Sequence, residues 1–146
     1  MQKRIALKQT EPAAYKAILA FDDYAENAPI NMTHKDLLRI RASQINGCSY
    51  CIDAHTKEAR EHGETEQRIY ALTAWRETPF FTEEERAILA LTEEVTLIHN
   101  RVLDETYATA AKLFDEKYLS QVLMAIIVIN AWNRIGVATN LMPSAS

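Results

Sequence analysis

Glycine and proline are scarce in this chain. Gly47, Gly63 and Gly136 are its only glycines, and Pro12, Pro29, Pro79 and Pro143 its only prolines. An all-β or α/β chain of this size needs more turn residues than that. There is no Gly-rich loop, internal repeat, low-complexity segment or linker. No run of basic residues exceeds two, and the formal net charge is -4. Nucleic acid, which demands a clustered basic face, is therefore not an expected partner. Met1 to Thr10 has neither a long apolar run nor a cleavage-like site, so no signal peptide is expected. The longest unbroken apolar run, Val122 to Ile129, falls far short of a membrane span. These absences point to a cytoplasmic protein without a membrane partner. Cysteine is equally sparse: Cys48 and Cys51 are the only two. A pair that close staples almost no chain, and structural disulfides are uncommon in the cytosol, so the question becomes chemistry or metal binding.

What is present reads as amphipathic helix in a single domain, 1–146. With 146 residues, nearly half of them hydrophobic, the chain can bury a core without covalent staples. A first helix is expected from about Glu11 to Glu26, capped by Thr10, with Pro12 in its first turn. Thr33 caps a second, about His34 to Ile45. Asn46-Gly47 breaks the chain, and a third helix runs from about Cys48 to His62 with Gly63 as its stop. A fourth, about Glu66 to Ala74, follows a Thr65 cap. Thr82 and Glu85 form a capping box that opens a fifth, to about Asn100. Asp104 caps a sixth, to about Phe114. The last, about Glu116 to Asn140, is apolar on nearly every side and should lie buried or in a subunit contact. Within it Asn133 and Arg134 must find partners, in the core or across a subunit boundary.

Cys48, Cys51 and His55 stand at i, i+3 and i+7 and so share one helical stripe. The pair follows Gly47 and falls at the helix start, where unpaired N–H groups and the helix dipole favour a thiolate. His55 lies below the thiols and can trade a proton with one of them. A thiol pair with an adjacent base is a thiol–disulfide or peroxide-reducing constellation. If the second and third helices form an antiparallel hairpin turning at Asn46-Gly47, Asp36 lands beside the His55–Glu58 turn and can orient the imidazole. Asp36 is also three residues after Thr33, the place of the acidic partner in a capping box.

Other readings attach to the same residues. The two cysteines and His55 could ligate zinc, with His62 or His34 as the fourth ligand, although zinc sites usually draw on two separated ligand pairs. His55 could be a plain half-buried histidine. Haem attachment needs a histidine directly after Cys51, where Ile52 stands. A thioredoxin domain needs a strand before the pair, where Lys35 to Ile45 reads as helix. Arg39 and Arg41 could lower a thiol pKa or be ion-paired. Trp75, Phe80 and Phe81 could shape a pocket mouth or cover the core.

The stretch Arg41 to Thr56, RASQINGCSYCIDAHT, resembles the signature of the alkylhydroperoxidase AhpD-like, carboxymuconolactone decarboxylase-like family. Ala74 to Thr82 and Ile129 to Arg134 are similar to the same group, and the likeness spans about residues 12 to 138. The resemblance implies an all-α, AhpD-like bundle of about six to seven helices, assembled as a trimer or hexamer. It implies a peroxidase without a cofactor or metal, acting on a small-molecule hydroperoxide and recharged by an external dithiol. Cys51 would attack, Cys48 would resolve, and His55 and Asp36 would carry protons. Family members usually have a glutamate where Asp36 stands, and some have a histidine where Tyr50 stands. A disulfide reductase or electron-transfer partner of another peroxidase would use the same residues.

Overall fold

The helical periodicity is realised as eight α-helices, with no strand among the described residues. The computed structural model describes residue 2 and residues 4–145. The helices are α1 (Leu7–Thr10), α2 (Pro12–Asn27), α3 (Met32–Asn46), α4 (Ser49–Glu61), α5 (Glu66–Ala71), α6 (Glu83–Thr96), α7 (Asp104–Leu113) and α8 (Glu116–Thr139). Short 3₁₀ turns follow α5 (Leu72–Glu77) and α6 (Ile98–Asn100). The all-α bundle expected from the sequence is the fold observed, with α1 as an extra single turn.

α3 is the central element and packs against α4, α6 and α8. Its apolar residues point to both sides, so it divides the core in two. Leu38 and Ala42 join Ala25, Ile88, Leu91, Val122, Ile126 and Ile129 in one cluster. Leu37 and Ile40 join Ala59, Leu72, Trp75, Phe81 and Leu89 in the other. Each fully buried Leu or Ile contributes roughly 1.5–3 kcal/mol through area removed from water.

The helix ends show where local chemistry decided the boundary. Thr82 and Glu85 form the reciprocal capping box, Gly63 ends the α4 turn at φ 97°, and Pro12 sits in the first turn of α2. Three expected caps are corrected. Asn31, not Thr33, caps α3 by accepting from Thr33 N–H at 2.9 Å. Thr10 belongs to α1, and no side chain caps α2. Asp104 is the first residue of α7, and Glu94 takes the Leu103 N–H at 2.9 Å instead.

α8, at 24 residues, is long and apolar enough to cross a membrane by length and composition alone. It is nevertheless a core helix, because buried Gln121, Asn130 and Asn133 interrupt its faces. Asn130 Nδ2 donates to Thr96 Oγ1 at 3.0 Å and Asn133 Nδ2 to Ser43 Oγ at 2.9 Å. Asn46 Nδ2 donates to both asparagine oxygens, at 2.9 and 3.0 Å. Arg134 donates to Asn130. Asn130, Asn133 and Arg134 of α8 thus find partners within the chain, and this ladder fixes the end of α3 immediately before the cysteines.

Candidate redox site

The turn between α3 and α4 is built by one glycine. Gly47 adopts the left-handed conformation at φ 65° and ends α3, a position that costs a residue with a Cβ about 1–2 kcal/mol. Cys48 N–H then donates back to Ser43 O at 3.1 Å. Cys48 is not inside α4, as the sequence pattern implied, but is its N-cap. Its Sγ accepts from Cys51 N–H at 3.4 Å. The two sulfurs are joined in a disulfide, with Cα atoms 5.3 Å apart. Both cysteines are buried, with 2% and 5% of their surface exposed.

The sulfurs can lie so close to α8 because position 136 has no side chain. A Cβ on Gly136 would stand 2.8 Å from Cys48 Sγ and 3.6 Å from Cys51 Sγ. The pair also faces two openings. Cys51 borders a cavity of about 530 Å³ that includes His55, Tyr50, Trp132 and Ile135. Cys48 borders a separate cleft of about 150 Å³ with Gly47, Ser49 and Val137.

His55 lies on the α4 face expected, one-fifth exposed, in the same cavity as Cys51. Its Nδ1–H donates to Glu58 Oε2 at 2.8 Å. That bond leaves Nε2 as the ring nitrogen free to take a proton. The hydrogen bond from His55 holds the Glu58 carboxyl below its ordinary value.

Asp36 is a correction. It accepts from His62 Nδ1–H at 2.8 Å, at the far end of α4, and does not orient His55. The i, i+3 spacing on α4 itself supplies Glu58 to His55, so α3 contributes no carboxylate there. Nor is Asp36 part of a capping box, since Asn31 caps the helix. Asp36 is 3% exposed. Burial pushes its carboxyl above the ordinary 3.8, opposed by the His62 hydrogen bond and the Arg39 charge. The fold thus binds this proton more tightly than the unfolded chain does. The stability Asp36 contributes is complete below its unfolded pKa and is lost as pH rises through the folded value. Asp36→Asn removes that dependence. The variant is expected to gain stability relative to the parent between about pH 4 and neutrality, which urea unfolding at both pH values measures.

The proposed zinc ligands do not converge. His34 lies in the first turn of α3, about 18 Å along the helix from Asn46 and the cysteine turn at 1.5 Å per residue. It bonds Tyr118 Oη at 2.7 Å, while His62 is engaged with Asp36. Among the described residues no group of three or more His, Cys, Asp or Glu could hold a metal ion. The two arginines are ion-paired rather than aimed at sulfur: Arg39 with Glu26 at 2.5 Å and Arg41 with Glu93 at 2.9 Å. Trp75 and Phe81 belong to the core. Sequence reasoning missed Glu58 and Gly136. The first was detectable as a carboxylate three residues after His55, and the second as a lone glycine inside an apolar helix.

The model of the carboxymuconolactone decarboxylase family matches residues 12–94. The chain is 43% identical over 139 residues to the uncharacterized protein YdfG of Bacillus subtilis, covering 94% of this chain and 95% of that one. It is 40% identical over 45 residues to the alkyl hydroperoxide reductase AhpD of Hyphomonas neptunium, a match to 31% of this chain and 25% of that protein. A crystal structure from Agrobacterium tumefaciens, of a protein of unknown function proposed as an antioxidant defence protein AhpD, superposes with a TM-score of 0.96. It is 35% identical and covers 99% of this chain and 100% of its own.

Proposed function

This chain belongs to the carboxymuconolactone decarboxylase family, and we propose that within it the Cys48–Cys51 pair works as a thiol-dependent peroxidase. The observation that supports this reading is that a disulfide-forming sulfur, Cys51, and an imidazole, His55, open on the same cavity. In the reduced protein His55 takes the Cys51 proton, and the thiolate attacks the O–O bond of a hydroperoxide. The products are a Cys51 sulfenic acid and the alkoxide, which His55 reprotonates to the alcohol. The Cys48 thiol then attacks the sulfenic sulfur, forming the disulfide and releasing water. An external dithiol exchanges with that disulfide and restores both thiols. The reading includes a cytoplasmic setting and a homo-oligomer, trimer or hexamer. A cavity of about 530 Å³ suits organic hydroperoxides at least as well as hydrogen peroxide.

The test supplies cumene hydroperoxide and a dithiol to the purified protein and follows thiol consumption. Two thiols oxidised per hydroperoxide, catalytically, is the expected result. Rapid disulfide exchange with no peroxide consumed overturns it and marks the chain as an electron-transfer partner of another peroxidase. The carboxylate contacts give a finer expectation. Glu58→Gln, which takes the charge from the His55 ring, should lower the peroxide rate at neutral pH about tenfold. Asp36→Asn, whose partner is His62, should lower it less. Stopped-flow oxidation of the reduced proteins separates the two.

A further inference from the structure

The cavity shared by Cys51 and His55 has an uneven lining, and the inference it carries rests on the peroxidase reading. Its body is apolar and aromatic, built from Tyr15, Leu19, Trp132 and Ile135. Tyr15 and Trp132 meet edge to face with ring centroids 5.8 Å apart, which makes a stiff wall. Among the described residues its lysine and arginine side chains are Arg4 and Lys8, both from one short stretch at the start of the chain. Arg4 Nη1 donates to Ala138 O at 2.8 Å, which ties that stretch to the end of α8. Neither cation has a carboxylate partner among the described residues. Two acids also border the cavity, Glu58, which is bonded to His55, and Asp22 on α2; neither forms an ion pair with Arg4 or Lys8 among the described residues.

An apolar body with a cationic edge beside a peroxide-reactive sulfur selects for an amphiphile. We propose that the preferred substrates are carboxylate-bearing organic hydroperoxides of the hydroperoxy fatty acid type. The hydrocarbon lies along Tyr15, Leu19, Trp132 and Ile135, and the carboxylate meets Arg4 and Lys8. The peroxide group reaches Cys51. The chemistry keeps its balance: the O–O bond breaks, one oxygen leaves as the hydroxy acid and the other as water, and the two thiols become the disulfide. The volume supports this class over hydrogen peroxide, because about 530 Å³ lies within the range of pockets that enclose whole organic ligands.

The experiment compares a hydroperoxy fatty acid with its methyl ester, which has the same tail and no charge. Cumene hydroperoxide is run alongside. The expected kcat/KM ratio of acid to ester is about tenfold in the parent protein, the scale of a charge-assisted contact. The ratio should fall toward one as salt is raised, and also in the Arg4→Gln/Lys8→Gln double variant. Because the readout is a ratio within each protein, a general loss of activity in the variant does not mimic the result. Equal rates for acid and ester in the parent, or a ratio untouched by both salt and the substitutions, overturn the assignment while turnover of cumene hydroperoxide leaves the peroxidase reading standing. No turnover of any of the three overturns both.

Discussion

Serine at position 51 should lower kcat/KM for cumene hydroperoxide at least about a thousandfold, the scale seen when a covalent nucleophile is removed. The thiolate is the group that breaks the O–O bond, and a serine hydroxyl beside His55 does not ionise enough to replace it. Serine at position 48 should behave differently. Cys51 keeps its place on the large cavity beside His55, so one equivalent of peroxide is still consumed. The cycle then stops, because no second sulfur condenses with the sulfenic acid. A sulfenic-acid trap should label Cys48→Ser after one addition of peroxide and leave Cys51→Ser unlabelled. Equal turnover by Cys51→Ser and the parent would remove Cys51 from the mechanism.

The second large effect is expected at a residue without a side chain. Valine at position 136 should destabilise the oxidised protein by about 2–3 kcal/mol, the upper part of the range for overpacking a tight interior. For a chain of this size that is a fall in Tm of roughly 6–10 °C. A Cβ there would stand 2.8 Å from Cys48 Sγ, closer than side-chain atoms pack. Valine adds two further carbons in the same space. Alanine tests the same point more gently: replacing a helical glycine stabilises by up to about 1 kcal/mol, less in a last turn such as this one, which offsets part of the clash. The penalty should be smaller in the reduced protein, where Cys48 Sγ is no longer bonded to Cys51 Sγ and can shift by a few tenths of an ångström from α8 while still accepting the Cys51 N–H. Thermal unfolding with and without reductant reads both forms. A valine variant as stable as the parent in the oxidised state would show that α8 is free to retreat from the disulfide.

Features that one short segment decides were legible in the sequence. The capping box at Thr82 and Glu85 forms as written, because its two hydrogen bonds lie within four residues. His55 follows Cys51 onto a common cavity, because helical periodicity alone sets that relation. Relations between segments were harder to read. Asp36 was placed by counting equally back and forward from Asn46-Gly47. That counting assumes two helices starting symmetrically from the turn. The turn is not symmetric: Gly47 ends one helix in a left-handed conformation, and Cys48 stands outside the next as its cap. Asp36 meets His62 instead, about one turn beyond the His55–Glu58 turn. The nearness of Gly136 to the sulfurs depends on how α8 docks against the α3–α4 turn, and no local pattern encodes that. The same holds for the start of the chain beside the cavity, since its only helix is the single turn α1, Leu7–Thr10, and it has no apolar period long enough to place it.

Cys48 gives α4 its cap through the sulfur atom itself, accepting the Cys51 amide hydrogen. A sulfur can accept that hydrogen whether it is half of a disulfide or a free thiolate, and the thiolate accepts it more strongly. The first turn of α4 is therefore anchored in both oxidation states. Electrons can enter and leave the pair without the polypeptide being rebuilt around it, so each catalytic round is confined to sulfur chemistry.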